Sequence, residues 1–139
     1  SAASSAVKMA CDIDAKAVVI LSETGETARY VAKFHPDAPL VCVMVDGRIG
    51  RQIEGYLCNT VSFCTDKKRG DGAHVMLAFA EGKKRGLYKD GDAVVCVHTS
   101  RNADGVKQFA VRILYVTSGD PHLATPSAEV GSKRKAGAA

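Results

Sequence analysis

Lys16-Ala-Val-Val-Ile-Leu-Ser22 is followed by Glu23-Thr-Gly-Glu-Thr27 and then by Ala28-Arg-Tyr-Val-Ala-Lys-Phe-His35. The first of these stretches is apolar, rich in β-branched residues and without polar alternation, the pattern of a strand covered on both faces, as in a parallel sheet. In the third, Ala28, Val31, Ala32 and His35 share one helical side, and Pro36 closes the helix because the residue before a proline disfavours helical geometry. The middle stretch is a Thr/Gly turn. Strand, turn and helix in this order predict the α/β unit that returns the chain to the same strand direction.

Working outward, the unit recurs. Pro39 to Val45 reads as a second buried strand, Asp46-Gly47 as a turn, and Arg48 to Leu57 as a helix with Ile49, Ile53 and Leu57 in register. Thr60 to Thr65 is a third strand and Asp66 to Gly72 a polar loop. Ala73 to Arg85 is a helix with Val75, Met76, Phe79 and Ala80 inward, stopped at Gly86. Ala93 to Thr99 and Ala110 to Val116 are strands four and five. The loop between them, Ser100 to Phe109, is too short for a crossover helix, so they form an antiparallel hairpin. Upstream, Ser1 to Asp14 spaces Ala3, Ala6, Val7, Ala10 and Cys11 as an amphipathic helix. With no turn or strand before it, that helix is expected to continue from a longer chain. The expected fold is α/β: a three-layer α/β/α sandwich on a five-stranded, mostly parallel sheet with the last strand antiparallel. It spans residues 1–116, and residues 117–139 are a polar tail expected to be disordered.

With 139 residues, 46% of them hydrophobic, the chain can bury one core but not two large ones. Nineteen Lys and Arg against fifteen Asp and Glu give +4, spread along the sequence, so no nucleic-acid partner is expected. The apolar runs fall far short of the ~20 residues of a membrane-spanning helix. A soluble, cytoplasmic protein with no membrane partner is the expectation. Five cysteines (Cys11, Cys42, Cys58, Cys64, Cys96) without a C-x-x-C pair read as buried thiols in a reducing compartment. The histidines lie too far apart in sequence for zinc-ligand spacing, and no metal or cofactor is expected on this chain. No G-x-S-x-G elbow, apolar carboxylate pair or histidine with a local nucleophile is present, so no catalytic residue is assigned.

The informative constellation is Ser22-x-Thr24-Gly25-x-Thr27, between the first strand and its helix. Backbone N–H groups at a helix start, flanking hydroxyls and a glycine that permits close approach are what a phosphate needs. Ligands of open α/β sheets also bind at the carboxyl ends of the strands. The plainer reading is that Thr24 caps the helix and Gly25 serves only the turn. In the hairpin loop, Arg101 and Lys107 could close over an anion with charge-assisted bonds. Gly47-Arg-Ile-Gly50 matches a nucleic-acid-binding G-x-x-G by chance, and Lys133-Arg-Lys135 reads as a solubilising patch.

These stretches resemble the C-terminal domain of pyruvate kinase. Lys16 to Val43 is similar to that family's strand, [ST]-x-[ST]-G-x-[ST]-A-R turn and helix. Arg51-Gln52 matches its Arg-Gln pair, and Gly86 to Val97 its G-x-x-x-x-G-D-x-V-V segment. The likeness spans roughly Ser1 to Val116. It implies a glycolytic phosphotransferase that moves phosphate from phosphoenolpyruvate to ADP with Mg²⁺ and K⁺, usually as a homotetramer, with its reacting groups on a barrel that has no counterpart here. The domain itself is implied to hold a sugar-phosphate effector, through Ser22, Thr24, Gly25 and Thr27 and by closure of Arg101 and Lys107, and to form part of a subunit interface. Glu23 and Glu26 depart from the pattern, the second falling where effector-regulated members often carry Arg. A carboxylate within ~4–6 Å of a phosphate repels it, so effector binding needs these side chains turned away. The alternative reading is a stand-alone phosphometabolite-binding or oligomerisation module with no kinase attached.

Overall fold

A computed structural model of the chain describes residues 2–22, 25–57, 59–65, 71–101 and 103–117. The elements are α1 (Ala2–Asp12), β1 (Val18–Leu21), α2 (Glu26–Ala32), β2 (Leu40–Met44), α3 (Gly47–Tyr56), β3 (Thr60–Cys64), α4 (Asp71–Lys84), β4 (Ala93–Arg101) and β5 (Lys107–Tyr115). The strands form one sheet in the order β3-β2-β1-β4-β5. β1 to β4 run parallel to one another and β5 is antiparallel to β4. The α/β sandwich expected from the sequence is the one observed. The polar tail beyond Thr117, and Cys58, lie outside the described residues.

Every residue of β1 and β2 is buried, as their unbroken apolar runs require. Alternate residues feed two cores. Val19, Leu21, Val41 and Val43 meet Val75, Ala78 and Phe79 of α4 on one face. Val18, Ile20, Leu40 and Cys42 meet α1, α2 and α3 on the other, through Ala6, Ala10, Ala28, Val31 and Ile53. The chain builds outward from β1 to β2 and β3, then crosses back by α4 to lay β4 on the opposite side of β1. Reversing the direction of winding puts α4 on the opposite face, since parallel crossovers keep one hand.

At the β3 edge, the Glu54 carboxylate of α3 accepts from the Ser62 N–H at 2.6 Å and from its hydroxyl at 3.0 Å, covering part of the rim. At the other edge β5 has one neighbour, β4. Among the described residues no helix is long and apolar enough to cross a membrane.

Several details differ from expectation. α2 ends at Ala32, and His35 stands beyond it, exposed, with φ +48°, so it does not extend the inner face. On α1 the buried stripe is Ala6 and Ala10 only, which leaves Cys11 exposed. On α4, Ala78 is buried in place of Ala80. Cys42 and Cys96 are the buried thiols expected, but Cys64, near the end of an edge strand, is exposed. The hairpin is longer than predicted. β4 and β5 stay paired as far as Arg101 opposite Lys107, so these two residues belong to the strands and not to the loop.

Candidate functional site

The turn after β1 sits where the winding direction of the sheet reverses, between β1 and β4. In open α/β sheets this is where a crevice for a ligand forms, at the carboxyl ends of the strands. Ser22 leaves β1 with its N–H donating to the Val43 carbonyl at 3.4 Å. Its hydroxyl turns back and accepts from the Gly25 N–H at 3.1 Å. Gly25 is the N-cap of α2, with φ +79° and ψ −1°, and its carbonyl accepts the first helical bond from Arg29 at 3.2 Å. That left-handed geometry penalises any residue with a Cβ. Space demands glycine as well, because a Cβ there would stand 2.6 Å from Ile53 Cδ1 and 3.1 Å from Ile49 Cγ2 on α3.

The structure therefore brings Ser22, Gly25 and Thr27 into one turn. Thr27, in the first turn of α2, is 5% exposed, so its side chain lies beneath the outer surface of the turn. Thr24 and Glu23 lie outside the described residues. Gly25, as the N-cap, brings no side chain to the start of α2. Glu26 is exposed, and its Oε1 accepts the Tyr30 hydroxyl at 3.1 Å, one helical turn further along. That bond raises the Tyr30 pKa above its ordinary value, and it draws the Glu26 carboxylate along the helix, away from the leading end.

Arg101 and Lys107 are directly opposed at the far end of the β4–β5 ladder. His98 of β4 stands beside Leu21, the last residue of β1. The hairpin thus projects past the end of β1, on the side where the turn opens. The side chains of Arg101 and Lys107 are outside the described residues. Among the described residues no group of three or more His, Cys, Asp or Glu side chains is arranged to hold a metal ion. A feature that sequence reasoning missed is a cavity of about 240 Å³ between α3, β3 and the end of α4. Its walls come from three separated segments, and no local spacing could have announced it.

Residues 1–114 match the family model of the pyruvate kinase alpha/beta domain. The chain belongs to the pyruvate kinase C-terminal domain family. Among curated relatives, the pyruvate kinase of Leishmania mexicana is 37% identical over 119 residues, covering 81% of this chain and 23% of that protein. Pyruvate kinase 1 of Trypanosoma brucei brucei is 32% identical over 117 residues, with the same two coverages of 81% and 23%. Among solved structures, the Cryptosporidium parvum pyruvate kinase in complex with ADP superposes with a TM-score of 0.76 at 23% identity, over 83% of this chain and 23% of that one. At that identity the likeness speaks for the fold alone. The chain spans about a quarter of the length of the curated relatives it matches, 23% in the first of them. In this pyruvate kinase domain the strand, turn and helix around Gly25 form the central unit of the sheet, and the family match runs to within one residue of the end of β5.

Proposed function

We propose that this chain is the regulatory C-terminal domain of a pyruvate kinase. In this reading it binds a phosphorylated effector at the Ser22–Thr27 turn, contributes to subunit assembly and carries none of the catalytic residues. The parent enzyme transfers phosphate from phosphoenolpyruvate to ADP in the cytoplasm, as a homotetramer. The Mg²⁺ and K⁺ of that reaction belong to the parent's barrel, and the described residues here offer no cluster fitted to a metal ion.

The observation that carries the effector reading is the start of α2. It lies at the switch point of the sheet, is capped by a glycine, and has the Ser22 hydroxyl beside it and the nearest described carboxylate engaged by Tyr30. A phosphate there gains the positive end of the helix dipole, worth about 0.3–2 kcal/mol. Arg101 and Lys107, opposed on the neighbouring hairpin, are the residues this reading assigns to cationic closure over a sugar phosphate.

Thermal unfolding with sugar mono- and bisphosphates, nucleotides and inorganic phosphate tests this reading. A ligand at ~100 times its Kd adds about 2.7 kcal/mol and raises the midpoint by several degrees. Thr24→Ala combined with Thr27→Ala should abolish that rise, and a rise that survives the pair moves the ligand elsewhere. If nothing in the panel shifts the midpoint, the effector reading fails.

For assembly, the support is the outer rim of the sheet. β5 pairs on one side only, and Phe109 and Tyr115 on it are 47% and 42% exposed. An edge strand of nine residues with exposed aromatics is a surface that normally finds a cover. Sedimentation of the chain should give an oligomer, and a strictly monomeric species at all concentrations would defeat this half of the proposal.

A further inference from the structure

Away from the turn, the cavity of about 240 Å³ is walled by Arg51 and Glu54 of α3, Ser62 and Cys64 of β3, and Arg85 just past α4. Helix and strand approach closely here, since a Cβ on Gly50 would come 2.7 Å from Ser62 Oγ. The Glu54 carboxylate is committed to Ser62, through both its N–H and its hydroxyl. The two guanidinium groups have no such anchor. Arg85 lies over the Phe63 ring at 4.9 Å, and neither it nor Arg51 forms a salt bridge with a carboxylate among the described residues. Of the two acids near Arg51 in sequence, Glu54 is taken by Ser62 and Asp46 is held by Arg48 at 3.3 Å. The cavity therefore presents two exposed cations, with the Ser62-bound Glu54 carboxylate beside them, to whatever enters it.

It also presents a nucleophile. Cys64 is exposed, its thiol donating to the Val45 carbonyl at 3.3 Å. The thiol and the Arg51 guanidinium flank one gap: a Cβ on Gly47 would stand 3.8 Å from the first and 3.6 Å from Nη1 of the second. Cys42 and Cys96 are fully buried. Cys11 on α1 is exposed but outside the cavity, which makes it an internal comparison.

We propose that this cavity is a modification site, in which Cys64 forms a mixed disulfide with a small carboxylate-bearing disulfide of the glutathione type, its carboxylates held by Arg51 and Arg85. The cavity is smaller than the ~300 Å³ at which ligand pockets begin, so it takes one arm of such a disulfide and leaves the other in solvent. The Cys64 thiol gives up its proton to solvent, and the thiolate attacks the nearer sulfur of the incoming disulfide. A bond from Sγ to that sulfur forms while the original S–S bond breaks. The outer half leaves as a thiolate and takes up a proton, so Cys64 is oxidised by the disulfide and the leaving half is reduced. A free thiol reverses the step. This inference does not rest on the effector reading.

The test is a competition within one molecule. The reduced chain is exposed near neutral pH to oxidised glutathione and, separately, to cystamine and to hydroxyethyl disulfide, and adducts at Cys64 and Cys11 are followed by peptide mass mapping. With oxidised glutathione, Cys64 should outpace Cys11 by roughly fivefold more than it does with the neutral disulfide, as two exposed guanidinium–carboxylate attractions allow. Cystamine should lose that advantage, and added salt should erase it. Arg51→Ala with Arg85→Ala, both surface changes, should bring the glutathione ratio down to the neutral one. The proposal is overturned if Cys64 gains nothing from the anionic reagent, if cystamine gains as much, or if the double variant keeps the advantage.

Discussion

Two turns leave the carboxyl ends of neighbouring strands and start helices on the same face, yet they are built on opposite principles. After β2, Asp46 caps α3 with its own carboxylate, accepting from the Arg48 N–H at 2.9 Å and pairing with the Arg48 guanidinium at 3.3 Å. After β1, Gly25 caps α2 and brings no side chain, while Ser22 contributes a neutral hydroxyl from the strand side. One helix start is capped by its own carboxylate, whereas at the other, among the described residues, the cap is a glycine. The difference is not economy, because the Gly25 turn stands in a left-handed conformation and against the Ile53 side chain, both of which exclude other residues. The β1 turn is the more restricted of the two, and its glycine is fixed by backbone geometry and by packing against α3.

The comparison breaks most visibly at its glycines. Gly25→Ala should lose about 2–4 kcal/mol in urea unfolding, from the left-handed backbone and the overlap with Ile53 together. Gly47→Ala, whose added methyl meets only ordinary contacts at 3.6 and 3.8 Å, should stay within about 0.5 kcal/mol of the parent chain. Equal losses would mean that the β1 turn is no more constrained than the β2 turn. Ser22→Ala comes next. It should cost about 1 kcal/mol by leaving the Gly25 N–H without its hydroxyl acceptor, and it should weaken any midpoint rise produced by a phosphate ester.

The smallest effect belongs to Asp46 and sharpens the contrast through pH. The Arg48 amide, and then its guanidinium, hold the Asp46 carboxyl below the usual carboxylate range. A carboxyl lowered in the folded state contributes stability that is present above the ordinary carboxylate pKa and is lost as pH falls through the lowered folded value. Asp46→Asn keeps a capping oxygen but does not titrate. Its midpoint should therefore fall less steeply with acid than that of the parent chain, with little difference at neutral pH. Superimposable acid limbs would show that the charge of the cap adds nothing. At the alkaline end the sign reverses. Burial, and then Glu54, push the Cys42 thiol up to about 12, so its contribution is complete below the ordinary thiol value and is lost as pH rises toward 12. Cys42→Val should flatten that limb.

The sheet was legible in the sequence because a strand buried on both faces leaves no room for polar residues, and Val18–Leu21 and Leu40–Met44 contain none. The candidate turn was legible because glycine and hydroxyl residues cluster at the end of such a strand. Position relative to the sheet edge was not. Cys64 ends a strand-like run as Cys42 lies within one, but β3 is a rim and β2 is interior, a distinction that strand order settles. The hairpin was underestimated for a related reason. Beyond His98 the ladder projects past the core, so Ser100, Arg101, Lys107 and Gln108 pair through their backbones with no apolar signature to mark them as strand. His35 misled because the helical spacing of Ala28, Val31 and Ala32 points to it, while the chain reverses into a left-handed conformation just before Pro36.

The two rims of the sheet are unequal, and this would limit how strand pairing could join two copies. With Glu54 seated on the backbone of β3, lateral extension is discouraged on that side, whereas β5 offers an uncovered backbone among the described residues. A second copy docking there by its own β5 consumes both open rims at once. In an assembly built that way, growth by strand addition would end at a pair, since the Glu54 carboxylate already occupies a backbone donor of β3.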